Sequence, residues 1–464
     1  MSDLSRRDFG RLLAGGAAAA AGSLLLQGRA EAGGARKPNF VVLLCDDLGY
    51  GDIGCFGHPA IQTPCLNHLA EEGMRLTDFY ASAPVCSPSR AGLLTGRTPY
   101  RLGIRDWIPN NSPMHLRRAE VTVATLLKSA GYATCHVGKW HCNGRFNSPD
   151  QPQPGDHGFD HWFSTQNNAE PSHHNPRNFV RNGKPVGPLE GYSSTLIVEE
   201  AITWLKGLKA DQPFCLFVWF HAPHEPIATA EEFARRYPGT DKPERAIYYG
   251  NVSQMDFEAG RLLRTLDERG LRESTFVLFT SDNGPETLNR YRGASRSYGS
   301  PGPLRGMKLH LYEGGIRVPG VIRWPGRTRP GQVCGEPISN TDLLPTLCAL
   351  AGARVPADRP IDGASILPLF DGKPVERPTP LYWQYDHAIG RPKVALRQGD
   401  WKLLAHANLQ TFELYNLKDD LGERADLAEQ EPARVKAMAA SLARLHGAIQ
   451  AEGPKWPTPK TRDP

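Results

Sequence analysis

Three stretches of this chain are apolar without a break, rich in β-formers, and each stops at a cluster of polar groups. Asn39-Phe40-Val41-Val42-Leu43-Leu44 runs into Asp46-Asp47, with Gly49 and Gly51 behind them. Residues 214–220 run into His221-Ala222-Pro223-His224, and residues 275–279 run into Asp282-Asn283-Gly284. A strand with one face in water alternates apolar and polar residues; an unbroken apolar run is what a strand buried on both faces needs. Helical spacing of apolar residues separates these runs, over residues 124–130 and 257–269. The alternation predicts an α/β fold in which a mostly parallel central sheet is sandwiched by helices. Ligands of such sheets bind at the carboxyl edge of the strands, so the three polar ends are expected to meet in one site.

From about residue 376 the texture changes. Pro378, Pro380 and Pro392 lie near short alternating segments over residues 393–397, 401–404 and 412–417, and apolar positions at helical spacing follow over 432–451. This predicts a smaller C-terminal subdomain, an antiparallel sheet plus a helix, over residues 376–464, ending in a loose Pro/Lys-rich tail from Gly453. The length of 464 residues accommodates it beside a large domain over residues 33–375.

Residues 1–32 read as a leader. Ser5-Arg6-Arg7-Asp8-Phe9 precedes an Ala/Gly-rich apolar run from Leu12 to Leu26, and Ala30-Glu31-Ala32 offers small residues for cleavage. That is the pattern of a bacterial twin-arginine signal peptide, which implies the twin-arginine translocon as a partner and a periplasmic or secreted destination. The run is shorter than the roughly 20 residues of a membrane-spanning helix, so a permanent anchor is the weaker reading and no stable membrane insertion is expected. A net charge of +5, from 54 basic and 49 acidic residues, argues against a nucleic-acid partner. The nine cysteines show no CxxC spacing. In an oxidising compartment the expectation is a few disulfides plus buried thiols, with the pairing left open.

The most specific string is Cys86-Ser87-Pro88-Ser89-Arg90, continued by Thr95-Gly96-Arg97. It matches the C-x-P-S-R signature, with its Thr-Gly-Arg element, of sulfatases. Gly138-Lys139-Trp140-His141, the His221 to Pro226 segment, and Gly306-Met307-Lys308 leading to Glu313-Gly314-Gly315-Ile316-Arg317-Val318-Pro319 follow in the order of the same family. From Lys37 to Tyr415 the chain thus resembles the type I formylglycine-dependent sulfatases, arylsulfatase-like members of the alkaline phosphatase superfamily. One local departure is Cys65 and Asn67, where the family more usually has Asn and Asp.

The resemblance implies that Cys86 is oxidised to formylglycine by a formylglycine-generating enzyme. It further implies one Ca2+ ion held by Asp46, Asp47, Asp282 and Asn283 together with an oxygen of the converted Cys86. Three carboxylates and an amide are, on chemical grounds too, a hard oxygen set that suits Ca2+ or Mg2+ better than zinc. By the same resemblance Arg90 and Lys139 offset the charge of the formylglycine hydrate, and His141 contacts its hydroxyl and later takes its proton. His224 and Lys308 bind the sulfate and protonate the departing oxygen. Glu313 and Arg317 are expected to form a structural ion pair. The expected activity is hydrolysis of a sulfated small molecule or glycan, with a carbohydrate sulfate preferred. Residues 164–182 and the stretch around Trp107 are candidate walls of the leaving-group pocket or simply surface loops. Two rival readings share these residues. One is a phosphatase or phosphonate monoester hydrolase of the same superfamily; the other is a binding protein for sulfated glycans in which Cys86 is never converted.

Overall fold

A computed structural model describes residues 37–287 and 297–457. The leader expected over residues 1–32 lies outside the described residues, as does the end of the tail. The strands are, in chain order, β1 (Asn39–Cys45), β2 (Met74–Leu76), β3 (Phe79–Tyr80), β4 (Ala133–Lys139), β5 (His161–Thr165), β6 (Val180–Arg181), β7 (Lys184–Pro185) and β8 (Phe214–Trp219). They continue with β9 (Thr275–Ser281), β10 (Gly320–Arg323), β11 (Gln332–Cys334), β12 (Ile338–Ser339), β13 (Leu381–Gln384), β14 (Pro392–Gln398), β15 (Trp401–His406) and β16 (Phe412–Asn416).

Ten of them form one sheet in the order β11-β2-β10-β9-β1-β8-β4-β5-β6-β7. Its middle, β9-β1-β8-β4-β5, is wholly parallel, as the unbroken apolar runs predict. Residues alternate between its two faces. Phe40, Val42 and Leu44 join Phe217 and Leu278 in a core closed by the helices Cys86–Thr95, Val123–Ser129 and Leu343–Ala351. Val41, Leu43 and Cys45 join Leu216, Val218 and Val277 under the helices Pro64–Glu72, Ser193–Gly207 and Pro243–Glu268. Every side chain from Phe40 to Leu44 is fully buried, each contributing about 1.5–3 kcal/mol of transfer free energy.

The helix read at residues 257–269 is the second half of a longer one, Pro243–Glu268. Its first half buries Tyr248, Val252 and Met255 in the core, but Asn251, Ser253 and Gln254 are buried beside them and break up the apolar pattern in the sequence. Asp256 accepts from the amides of Cys65 and Leu66, capping the neighbouring helix, which explains a carboxylate facing inwards.

The C-terminal strands pair antiparallel as β13-β14-β15-β16. One face packs on the helix Pro432–Gln450 through Met438, Leu442 and Ile449. The other, with Leu381, Trp383, Ala395 and Leu404, shares a hydrophobic cluster with Val85, Cys86 and Leu309. The expectation of disulfides is overturned, because all nine cysteines are free. Cys45, Cys135 and Cys215 are buried in strands of the parallel sheet, where they serve as small apolar side chains.

Candidate active site

Four adjacent strands deliver their ends to one edge. Asp46 and Asp47 follow β1, Asp282 and Asn283 follow β9, His221 to His224 follow β8, and Lys139 closes β4 with His141 two residues beyond. Cys86 and Arg90 sit on the first turns of the helix Cys86–Thr95. Lys308 arrives on a loop pinned by backbone bonds from Lys308 to Pro285 (2.8 Å) and from Leu309 to Pro84 (2.9 Å).

The backbone is forced into uncommon shapes to achieve this convergence. Asp47, His141 and Leu309 all lie in the left-handed region, at φ 63°, 52° and 68°. Such conformations cost non-glycine residues about 1–3 kcal/mol and persist where surrounding structure imposes them. Gly284 admits no side chain, since a Cβ there would lie 1.9 Å from the carbonyl oxygen of Gly314. The Gly314-Gly315 backbone therefore packs directly against Gly284.

The charged groups interlock below the surface, every one of Asp46, Arg90, Lys139 and Asp282 being fully buried. Lys139 Nζ lies 2.6 Å from Asp46 Oδ2. Arg90 binds Asp282 Oδ2 through Nε (2.9 Å) and Nη2 (2.7 Å), reaches Asp46 Oδ1 at 3.3 Å, and donates to the Lys139 carbonyl at 2.9 Å. Lys308 Nζ sits 2.7 Å from Asp47 Oδ2 and 3.2 Å from Glu286. Asn283 donates to Asp47 Oδ1 at 2.7 Å, and His224 Nε2 stands 3.6 Å from Asp47 Oδ2. Burial opposes ionisation of Asp46, but Lys139, His224, Arg90 and Lys308 outweigh it and hold the carboxyl well below its usual range. Burial pushes the Cys86 thiol up to about 11, against the pull of Lys139 and Lys308. An unmodified Cys86 is therefore a protonated, weak nucleophile at neutral pH.

His141 has a defined tautomer. Its Nε2 lies 3.1 Å from the Ile108 carbonyl, which can only accept, so Nε2 carries the proton and Nδ1 is a bare lone pair. Nδ1 is buried with no hydrogen-bond partner. Burial, then Lys139 and Arg90, drive the imidazole well below its ordinary pKa, so it is neutral and able to accept a proton.

Asn283 Oδ1 at this edge is buried and accepts no hydrogen bond, and Asp46 Oδ1 has only the 3.3 Å ion-pair contact with Arg90 Nη2. An oxygen left so costs about 1–3 kcal/mol unless something else coordinates it. Asp46, Asp47 and His224 offer ligand atoms within 4.8 Å of one another. Asp46, Asp47 and Glu286 match Arg90, Lys139 and Lys308 in number, and burial pushes the Asp282 carboxyl up to about 7, so a divalent cation would leave the edge net positive. The donor set and the charge thus fit a hard divalent cation and, with it, an anionic ligand.

All the residues anticipated from the sequence meet at this edge. Sequence reasoning missed two contributors: Glu286 is a second partner of Lys308, and Trp219 lies under the Arg90 guanidinium at 5.1 Å. The two stretches read as pocket walls or surface loops supply Ile108, which fixes the His141 tautomer, and His173, which packs against His221. Only position offered a hint, since Trp219 ends an apolar strand and Glu286 lies four residues past Asp282.

The fold and this edge define a hydrolase of the alkaline phosphatase superfamily. The sulfatase family profile matches residues 38–353, and that of the N-sulphoglucosamine sulphohydrolase C-terminal region matches residues 307–448. The chain belongs to the sulfatase family and is a sulfuric ester hydrolase. Human arylsulfatase A is 37% identical over 413 residues, covering 82% of this chain and 77% of that protein. Human N-acetylgalactosamine-6-sulfatase is 35% identical over 379 residues, covering 76% and 70%. A crystal structure of Ps i-CgsB in complex with k-i-k-neocarrahexaose superposes with a TM-score of 0.78 at 28% identity, covering 90% of this chain and 93% of that one.

Proposed function

We propose that the protein hydrolyses carbohydrate sulfate esters with a nucleophile made by oxidising Cys86 to formylglycine, beside one Ca2+ held by Asp46, Asp47, Asp282 and Asn283. The observation that carries this reading is the pair of under-coordinated oxygens, Asn283 Oδ1 with no partner and Asp46 Oδ1 with only a 3.3 Å contact to Arg90, in the same edge that buries Cys86 among Lys139, Lys308 and Arg90. Formylglycine would supply a hydroxyl nucleophile that can afterwards be expelled, and Ca2+ would neutralise charge on the sulfate oxygens.

The chain's own groups provide the rest. Arg90 and Lys139, fixed by Asp282 and Asp46, present fixed positive charge near position 86 without reorganising. Neutral His141 takes a proton at Nδ1. Lys308 and His224 both face Asp47 and bind the ester. His224, 12% exposed at its side chain, is placed to meet the leaving oxygen and return a proton to it.

A carbohydrate substrate is supported by the sugar named for Ps i-CgsB and by the amino sugar in the name of N-acetylgalactosamine-6-sulfatase. Residues 33–375 form the catalytic domain in this reading and 376–464 the subdomain that closes it. The twin-arginine leader supports export to the periplasm or beyond, with the translocon and a formylglycine-generating enzyme as partners. No helix among the described residues is long and apolar enough to cross a membrane.

Mass spectrometry of the tryptic peptide carrying Cys86, from protein isolated from its native host, tests the nucleophile. The converted peptide is lighter by about 18 Da, because the thiol carbon becomes an aldehyde. Unmodified Cys86 throughout, in protein that still binds sulfated glycans, would favour the binding-protein reading instead.

A further inference from the structure

The loop before Ile108 is anchored at two points of the active site. Ile108 N donates to Ser87 Oγ at 3.0 Å, next to Cys86, and Ile108 O accepts from His141 Nε2 at 3.1 Å and Gln166 Nε2 at 3.0 Å. Trp107 is therefore held beside both the nucleophile position and the base. Its indole centroid is 6.5 Å from the His141 ring, yet the residue is 44% exposed. Trp107 is the sole aromatic besides Phe257 among the exposed large hydrophobics of the described residues. A tryptophan left in water forgoes more apolar burial than any other side chain, and one rigidly placed at a catalytic mouth points to a ligand.

The segment that follows β13 packs beside Trp107 through Asp106. Tyr385, buried in the same cluster as Cys86, donates to Asp106 Oδ1 at 2.8 Å. His387 Nε2 lies 3.8 Å from Asp106 Oδ2, with 58% of its side chain exposed. A flat apolar face is thus framed by a carboxylate and an accessible imidazole. A pyranose ring has the matching surface, with a face of C–H bonds to lie on an indole and a rim of hydroxyls for polar groups. A purely aromatic leaving group would stack but leave that polar rim unused.

We propose that Trp107 is the stacking platform for the sugar ring that carries the sulfate, with His387, beside Asp106, binding its hydroxyls. This specificity subsite rests on the carbohydrate reading above. The test compares wild type with Trp107→Ala and Trp107→Phe, both checked for unchanged melting temperature. The substrates are a panel of O-sulfated hexoses and nitrophenyl sulfate, with inorganic sulfate as a competitive inhibitor that has no leaving group.

For the best hexose sulfate, Trp107→Ala is expected to raise KM about tenfold with kcat within about threefold, as for loss of uniform binding, and Trp107→Phe to fall between. The inhibition constant of inorganic sulfate should stay within about twofold, since the platform does not touch the sulfate. An unchanged KM for the hexose sulfate, or an equal weakening of sulfate and sugar, overturns the platform while leaving the carbohydrate reading intact. Wild-type turnover of nitrophenyl sulfate with no hexose sulfate hydrolysed overturns the carbohydrate reading itself, and the platform with it.

Discussion

Replacing Lys139 by methionine tests whether the buried acidic edge is built for a cation. The substitution keeps the unbranched stem and removes only the charge that lies 2.6 Å from Asp46 Oδ2. Asp46 then retains Arg90 at 3.3 Å, but Arg90 is already committed to Asp282 at 2.7 Å. Removing one partner of a buried ion pair costs about 3–5 kcal/mol. Protonating Asp46 instead bounds the loss at a similar size, since carrying a carboxyl of ordinary pKa protonated at pH 7 costs about 4 kcal/mol. In calcium the metal supplies the missing charge, and the penalty should shrink to about 1 kcal/mol, the net worth of one hydrogen bond. Urea unfolding of wild type and variant, each in chelator and in calcium, therefore gives a coupling of about 2–4 kcal/mol between mutation and metal. By linkage, calcium binds the variant at least about thirtyfold more tightly. Equal destabilisation with and without calcium would refute the assignment of the metal to Asp46.

Three further substitutions probe the scaffold. Asp52, buried and accepting from Gly49 N at 2.6 Å, Ser300 N at 2.7 Å and Tyr248 at 3.0 Å, is pushed by burial up to about 7 against those hydrogen bonds. A raised folded pKa contributes stability that is complete below about pH 4 and lost as pH rises through about 7, some 4 kcal/mol in all, so wild type minus Asp52→Asn stability should decline across that window. Parallel pH–stability curves would show that Asp52 titrates normally. Lys402→Met strands Glu313 (2.8 Å) and Glu423 (2.9 Å) in the interior and should cost about 3–5 kcal/mol by denaturant unfolding. Gly138→Ala, at φ 102° with its Cβ 1.8 Å from the Trp219 carbonyl, should part β4 from β8 and lose more than about 3 kcal/mol, read as a collapse in soluble yield.

What was legible in the sequence follows from what writes itself locally. Unbroken apolar runs declare strands with two buried faces, and residues just past their ends must lie at one edge of a parallel sheet. Asp46, Asp282 and His224 therefore converge as anticipated, whereas Cys86, on the first turn of a helix, was singled out by its motif alone. The first half of the helix Pro243–Glu268 was not legible because its core residues, Tyr248, Val252 and Met255, are interleaved with buried polar ones, and Asp256 just beyond serves the amides of Cys65 and Leu66. Glu286 and the Ile108 carbonyl were invisible for a related reason, since each acts through a partner distant in sequence. The free cysteines show the same limit, because an odd count of nine says nothing about whether two of them ever face each other.

The C-terminal sheet is also more than an appended layer. Glu313 lies on the loop that presents Lys308, and it is held by Lys402 on β15, by Arg317 at 3.2 Å and by the Tyr80 hydroxyl at 2.5 Å. Its amide donates to Glu423 at 2.6 Å, and the Ile389 amide donates to the carbonyl of Leu309, the residue at φ 68° beside Lys308. Removing the sheet's side of this network would free the strained loop to relax and carry Lys308 away from Asp47. The ion pair expected of Glu313 and Arg317 is thus one strut of a buried frame that spans both parts of the chain. Lys402→Met should accordingly raise KM for the sulfate ester as well as lower stability, although Lys402 belongs to a sheet that contributes no group to the charged cluster around Asp46 and Asp47.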